Sequence, residues 1–215
     1  MSQLTQCPVG ISPLESTEVN TGGLTQEAIF AETLIASRQN ILPKHLRAPG
    51  PSTLQIEQLF RAAAAAPDHG QLRPWRFVLV PEHKRADLAE VFAQALVDRD
   101  ASASPQQITA AREKAYRAPL LMLAIARLGP REPDIAMLER MVSLGCAIQN
   151  ILLSAHSMAF GAGLTSGQAL PSARMRALFK LQPGEQAACF INVGTASTRK
   201  PPSLRPEPAE FVSSL

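Results

Sequence analysis

The sequence predicts an α+β domain in which helices surround a mixed or antiparallel sheet. Three apolar runs have the length and composition of strands, at residues 75–80, 119–126 and 187–194. Helical segments separate these runs, but their spacing does not impose the regular alternation of a parallel βαβ fold. With 215 residues, of which 46% are hydrophobic, the chain can bury the core of one domain.

The first two helices are predicted from their caps. Thr25 can cap a helix over residues 25–37. Ser52 precedes the second helix, and Gln55 three residues later completes a capping-box pattern. Pro67 is expected to end this second helix, because a proline disfavours helical backbone in the residue before it.

Four further helices follow from periodicity, composition and caps. Apolar residues at helical spacing predict a helix around residues 88–96, and another is predicted over 105–117. A long helix is predicted over 133–159, with the glycines of residues 161–163 as its end. Most of it is uncharged, so we expect it in the core or at a subunit interface. Ser172 is expected to cap a last helix, which continues to Lys180.

The predicted domain organisation is one central domain with two terminal segments. Residues 1–23 are rich in Ser, Thr, Gly and Pro and are expected to be loose or to wrap a partner. Residues 24–200 form the domain. Residues 201–215 are rich in proline and are expected to be an extended tail.

Composition excludes several classes of protein. A net charge of +3 without a basic block argues against nucleic-acid binding. The N-terminus lacks a signal-peptide pattern, and amides and serines interrupt the longest apolar segment, so no membrane association is expected. Three cysteines without CxxC spacing favour a reducing, cytoplasmic location, and the histidines and cysteines show no metal-ligand spacing.

Two polar segments could carry a binding site. Ser37, Arg38 and Gln39 follow the first helix, and an arginine presents a planar fork of donors that suits phosphate. A single arginine at a helix C-terminus can equally serve the helix dipole. The loop of residues 68–74 could place His69 and Gln71 against a ligand, or these side chains could only make turn hydrogen bonds.

The loop and its neighbours resemble a known family in four places. The string from Ala66 through Pro67, Asp68, His69 and Gly70 to Pro74, Trp75 and Phe77 resembles a segment of the FMN-dependent nitroreductases, in the branch with Ala-Pro-Asp-His-Gly. Ser37, Arg38 and Gln39 stand at the place of that family's Arg-Arg-Ser. The stretches 160–167 and 192–195 resemble its Gly-x-x-x-Trp-Arg-(Ser/Thr)-Gly and Gly-Thr-Pro segments.

The resemblance implies a fold, an assembly and a cofactor. The fold would be α+β, with a mostly antiparallel central sheet flanked by helices and terminal segments exchanged in a homodimer. FMN would be the cofactor, NAD(P)H the reductant, and a nitroaromatic, quinone or similar small molecule the acceptor. The flavin would carry the chemistry, so no catalytic side chain is expected.

The resemblance also implies positions for the cofactor-binding residues. The FMN phosphate and ribityl chain would meet Ser37, Arg38 and Gln39, with Arg199 or Lys200 as a second phosphate cation. The flavin would be approached from the partner subunit by Pro67, His69 and Gln71. The ring or ribityl chain would lie near Thr165, Ser166 and Gly167.

Four positions depart from the family pattern. Ser37 replaces the first arginine of Arg-Arg-Ser, Gln39 replaces its serine, and Leu164 with Thr165 replaces Trp-Arg. Each lost arginine removes a charge-assisted bond of roughly 1.5–3 kcal/mol to phosphate. The alternatives to a nitroreductase are therefore a flavin-binding or interaction protein without turnover, and a flavin-degrading or dehalogenating relative on the same fold.

Overall fold

The computed structural model describes residues 25–129, 135–199, 201 and 204–215. The helices are α1 (Gln26–Ser37), α2 (Thr53–Ala64), α3 (Arg85–Arg99), α4 (Pro105–Glu113), α5 (Met137–Ser157) and α6 (Ala173–Leu178). The strands are β1 (Leu46–Arg47), β2 (Trp75–Leu79), β3 (Leu120–Arg127), β4 (Gly161–Thr165) and β5 (Glu185–Ala196). The predicted extension of residues 1–23 lies outside the described residues.

The chain divides into two compact units, residues 1–36 and residues 37–215. In the first, the described residues form α1 up to Ala36, and Thr25 Oγ1 accepts a hydrogen bond from Ala28 N at 3.2 Å. The predicted cap of α1 is therefore confirmed. The second unit contains the sheet and the other helices.

The sheet of the second unit is antiparallel, as predicted. Its strand order is β1-β5-β3-β2, and β4 also pairs with β5. Within the described residues, the four strand pairings are all antiparallel. The central strand β3 is buried except at Arg127, and β5 is buried over residues 189–194, which agrees with their largely apolar sequences.

The two faces of β3 carry two hydrophobic cores. Alternate residues of a strand point to opposite faces of its sheet. Leu120, Met122, Ala124 and Ala126 therefore share one core with buried residues of α2 and α5. Leu121, Leu123 and Ile125 belong to the other core, with buried residues of α3 and α6. The sheet thus lies between two helical layers.

Hydrogen-bonded caps fix two of the predicted helix starts. Ser52 and Gln55 form the predicted capping box of α2, with Ser52 N donating to Gln55 Oε1 at 2.8 Å. Ser172 Oγ accepts from Met175 N at 3.1 Å and begins α6, as predicted. These caps satisfy amide groups that the first helical turn would otherwise leave without partners.

Two predicted boundaries and the predicted conformation of the tail need correction. Helix α5 begins at Met137, after an extended Ala136, and not at residue 133. Residues 161–163 belong to β4; the residue that ends the helical path is Ala159, whose φ is 65°. The tail is not wholly extended, because Pro208–Glu210 form a 3-10 turn. In the part of the chain that is described, no helix is long and apolar enough to cross a membrane.

Candidate functional site

Three distant chain segments meet at the C-terminal end of α5. Ser37, the last residue of α1, places its Oγ 2.8 Å from Nε2 of His156, near the end of α5. Arg199, which follows β5, donates from Nη2 to the carbonyl oxygen of Ala159 at 3.3 Å. Ser37 and Arg199, two of the residues predicted to contact phosphate, therefore both lie at the end of α5.

This site is strongly cationic. Burial lowers the pKa of His156, and the neighbouring Arg199 and Arg38 lower it further. Arg205 adds a third guanidinium, since its Nη2 donates to the carbonyl oxygen of Arg38 at 3.2 Å. We call Arg38, His156, Arg199 and Arg205 the arginine cluster. Among the residues described, none of the three arginines forms an ion pair.

Arg38 has a further property that fits an anion. Its Nε is buried and lacks a hydrogen-bond partner within the described structure. A buried N–H without an acceptor is costly, and a phosphate oxygen is a strong acceptor for guanidinium donors. The neighbouring Gln39 is half-buried. Lys200, the other predicted phosphate cation, lies outside the described residues.

A close backbone approach connects the arginine cluster to β4. Ile41 N donates to the carbonyl oxygen of Ala162 at 2.9 Å, and Leu164 N donates to Asn40 Oδ1 at 3.3 Å. Gly163 permits this approach, because a Cβ at this position would lie 2.3 Å from the carbonyl oxygen of Ile41. The segment that follows Arg38 is thereby packed along the strand that leads to Thr165.

Beyond this strand, the predicted residues Thr165, Ser166 and Gly167 line a cavity of about 420 Å³. We call it the Thr165 cavity. Asn192, which is buried on β5, donates from Nδ2 to Thr165 Oγ1 at 3.1 Å and to the carbonyl oxygen of Gly163 at 3.3 Å. The cavity's mouth residues are thus held by hydrogen bonds to the central sheet.

The Thr165 cavity contains three cations that sequence reasoning missed: Lys44, Lys114 and Arg117. No carboxylate is among its described lining residues, which also include Phe92 and Phe190. This combination of apolar rings and positive charge suits a flat ligand that is or becomes anionic. The spacing of Lys114 and Arg117, three residues apart just before a buried strand, was the available sequence signal.

The loop after α2 forms a separate part of the surface. Pro67, His69 and Gln71 are exposed, and they line neither the arginine cluster nor the described wall of the Thr165 cavity. Arg73 N donates to Asp68 Oδ2 at 2.8 Å, which closes the loop. Gly70, Gln71 and Arg73 have φ values of 63°, 54° and 48°.

His69 connects this loop to α5. Its Nδ1 contacts the Oε1 of Glu139 in the first turn of that helix. The structure therefore does not bring His69 and Gln71 together with residues 37–39 or 165–167 of the same chain, and their approach to a flavin of the partner subunit stays a prediction. In the described residues, no group of three or more His, Cys, Asp or Glu side chains could hold a metal ion.

The fold and site define a class: an α+β protein with an antiparallel sheet and a cationic site suited to a phosphate-bearing ligand with a flat ring. A model of the Nitroreductase family matches residues 35–195, which is most of the chain. The protein therefore belongs to the nitroreductase family, as the sequence motifs indicated.

Comparisons with individual relatives agree with this membership. The chain is 29% identical to a Haemophilus influenzae protein over 165 residues, covering 77% of this chain and 88% of that protein. It is 27% identical to Escherichia coli YdjA over 169 residues, covering 78% and 91%. Both carry the name NAD(P)H nitroreductase, an assignment that their names mark as unproven.

Solved structures show the same fold. A nitroreductase-like family protein from Bacillus cereus superimposes with a TM-score of 0.74 at 15% identity, covering 85% of this chain and 94% of that one. The FMN-dependent nitroreductase NfnB from Mycobacterium smegmatis, solved with NADPH, gives a TM-score of 0.64 at 16% identity, covering 88% and 99%.

Proposed function

We propose that this protein is a homodimeric, FMN-dependent oxidoreductase that uses NAD(P)H to reduce a nitroaromatic, a quinone or a similar small molecule. Residues 24–200 would form the FMN domain. The observation that carries the proposal is the arginine cluster, in which Arg38 and Arg199 converge from opposite ends of the domain. Family membership and the names of its relatives support the reaction class.

The arginine cluster fits the phosphate of FMN. Arg38 has a buried Nε without a partner, and Arg199 donates to a backbone carbonyl, so donors remain for an incoming oxyanion. Ser37 lies beside them and can donate its hydroxyl proton. Phosphate contacts would therefore be made by Ser37, Arg38 and Arg199, with Gln39 and Lys200 as further candidates.

The Thr165 cavity fits the ring end of the same cofactor. Thr165, Ser166 and Gly167 would border the ring or ribityl chain, and Lys44, Lys114 and Arg117 would supply positive charge beside it. When bound, FMN supplies the hydride chemistry, taking hydride from NAD(P)H and giving it to the acceptor. The three cations would stabilise negative charge in the cavity, so a catalytic acid or base is not required.

An exposed apolar surface supports the homodimer. The first turns of α5 expose Met137, Leu138, Met141 and Val142 by 63%, 77%, 40% and 60%. A contiguous apolar patch of this kind marks an interaction site. His69 contacts Glu139 within this same helical segment. A second subunit that packs on the patch would therefore receive Pro67, His69 and Gln71. Exchange of the terminal segments, which carry the exposed Phe211 and Val212, would enlarge the interface.

The decisive experiment is a flavin analysis of the purified protein. We expect a yellow protein that releases FMN on denaturation and oxidises NADH or NADPH when a quinone or a nitroaromatic is added. Deflavinated protein, with and without added FMN, is the matched control. Protein that neither contains nor takes up FMN would refute the proposal, and tight FMN binding without NAD(P)H oxidation would favour a flavin-binding protein without turnover.

A further inference from the structure

We propose that His156 is a phosphate-binding residue that takes up a proton when a phosphate monoester dianion binds, so that FMN binds more weakly as the pH rises above neutrality. The inference rests on the proposed function, because FMN is the ligand that brings the phosphate. It assigns a role to a residue that neither the sequence motifs nor the family resemblance singled out.

The first argument is the position of His156 beside the residues proposed to bind phosphate. Its Nε2 lies 2.8 Å from Oγ of Ser37, the residue that stands in place of the family motif's first arginine. Arg199 reaches the carbonyl oxygen of Ala159, three residues further along the same chain segment. The imidazole is therefore flanked by Ser37 and by the two arginines proposed to hold the phosphate.

The second argument is the positive charge around His156. The charged groups that shift its pKa are Arg199, in the segment after β5, and Arg38, in the segment after α1; both are cations. On α5 itself its neighbours Ser154 and Ser157 are neutral. Burial and these two cations hold the pKa of His156 below its ordinary value, so the imidazole is neutral near pH 7 without a ligand.

A bound phosphate dianion reverses this balance. It offsets the repulsion from Arg38 and Arg199 and accepts a hydrogen bond from the imidazolium, which raises the pKa of His156 in the complex. Because the pKa is higher in the bound state, His156 strengthens binding at low pH, and this gain disappears as the pH rises through the bound-state pKa. A fall in FMN affinity with rising pH distinguishes the titration of His156 from that of the phosphate. The second ionisation of the phosphate, near pH 6, would instead strengthen binding as the pH rises.

Protonated His156 would compensate for the arginine that Ser37 replaces. Where the resembled motif has two arginines and a serine, this chain has Ser37, Arg38 and Gln39. An imidazolium beside Ser37 supplies positive charge at that place, but only while it is protonated. The pH dependence is thus a direct consequence of replacing a permanent cation by a titrating one.

The test compares FMN with riboflavin, which lacks the phosphate. The apoprotein, the His156→Gln variant and the exposed-surface control His83→Gln are titrated with each flavin between about pH 6.5 and pH 8.5. We expect the FMN affinity of the wild type and of His83→Gln to fall about tenfold across this range, as for the loss of one charge-assisted bond. The FMN affinity of His156→Gln should be flat, and riboflavin affinity should be flat for all three proteins.

A second measurement keeps the proposal testable if His156→Gln does not fold. The imidazole Cε1–H resonance of His156 is followed by NMR in wild-type apoprotein and after addition of FMN or riboflavin. We expect FMN, and not riboflavin, to raise the pKa of His156. An unchanged pKa with FMN bound, or an equal pH slope in wild type and His156→Gln, would overturn the proposal.

The outcomes also separate this inference from the proposed function. If FMN does not bind at all, the cofactor assignment fails and the role of His156 fails with it. If FMN binds without a pH slope, only the role of His156 fails. If FMN and riboflavin bind equally while NADP⁺ binds more tightly than NAD⁺, the cluster recognises the 2′-phosphate of the nucleotide, which overturns the assignment to FMN.

Discussion

Replacing Gly163 by Ala tests the close approach that connects the arginine cluster to the Thr165 cavity. The added Cβ would lie 2.3 Å from the carbonyl oxygen of Ile41, whereas ordinary contacts begin at 3.4 Å. The backbone fixes the position of the Cβ, and the carbonyl oxygen belongs to the backbone, so a rotamer change cannot relieve the clash. The segment of Asn40 and Ile41 must therefore retreat from β4 by about 1 Å, at the cost of about 1–3 kcal/mol that overpacking produces.

Two measurements detect this displacement. Thermal unfolding of the apoprotein should occur at a lower temperature by about 2–4 °C for each kcal/mol lost. FMN affinity, measured by fluorescence titration, should fall about tenfold or more, because Arg38 lies two residues before Asn40 and moves with it. Gly145→Ala is the control: it adds the same methyl group at an exposed position of α5, where nothing beyond the neighbouring backbone of the helix lies within 4 Å, so the unfolding temperature should not fall.

The result that would refute this reasoning is a Gly163→Ala protein with wild-type stability and wild-type FMN affinity. Such a result would mean that neither stability nor FMN binding depends on the packing of the segment after α1 against β4. A loss of stability with unchanged FMN affinity would show that the segment packs there but does not position Arg38.

Four further predictions address the site, the loop, the interface and the fold. Arg38→Ala should weaken FMN binding about tenfold or more in titrations without changing the unfolding temperature of the apoprotein; unchanged affinity would transfer the role to Arg199. Gln71→Glu should lower the flavin midpoint potential in redox titrations more than Gln71→Ala does, because a carboxylate opposes negative charge on the reduced ring; equal potentials would remove Gln71 from the ring. If the protein forms the proposed homodimer, Leu138→Lys should convert it to monomer in sedimentation, since it places a charge in the exposed apolar patch; an unchanged dimer would place the interface elsewhere. Hydrogen bonds from Arg76, from the backbone N–H of Gln182 and from Arg127 hold the pKa of Glu185 at about 2 against an ordinary 4.5, so the stability that they provide should be present above pH 4.5 and lost as the pH falls toward 2; a Glu185→Gln protein with the same acid profile would contradict this.

Local signals were enough to predict most of the elements. The caps at Thr25, Ser52 and Ser172 each depend on residues three positions apart, and the structure confirms all three. The boundaries that were wrong depend on contacts between distant segments. Gly163 looked like a helix terminator, but it is a strand residue selected by the approach of Ile41, which lies far away in sequence.

The site could be predicted only where a motif named it. The motifs located Arg38 and Thr165, but not His156 or Lys114, because neither of the latter belongs to a motif: His156 lies in a long, mostly uncharged helix, and Lys114 is one of several charged residues before β3. The contact between Ser37 and His156 joins residues 119 positions apart. No periodicity within a single helix contains that information, so the fold had to be known before the cluster could be recognised.

Backbone hydrogen bonds connect the arginine cluster to the Thr165 cavity. The chain leaves Arg38, pairs with β4 at Asn40 and Ile41, and thereby lies along the strand that ends at Thr165. β4 in turn pairs with β5, which carries Asn192 and leads to Arg199. The residues proposed to bind phosphate and the Thr165 cavity are thus parts of one hydrogen-bonded framework, and their separation is set by the sheet. A ligand that contacts both the arginine cluster and the Thr165 cavity would find the two at a fixed distance. Less conformational entropy is then lost when the ligand binds.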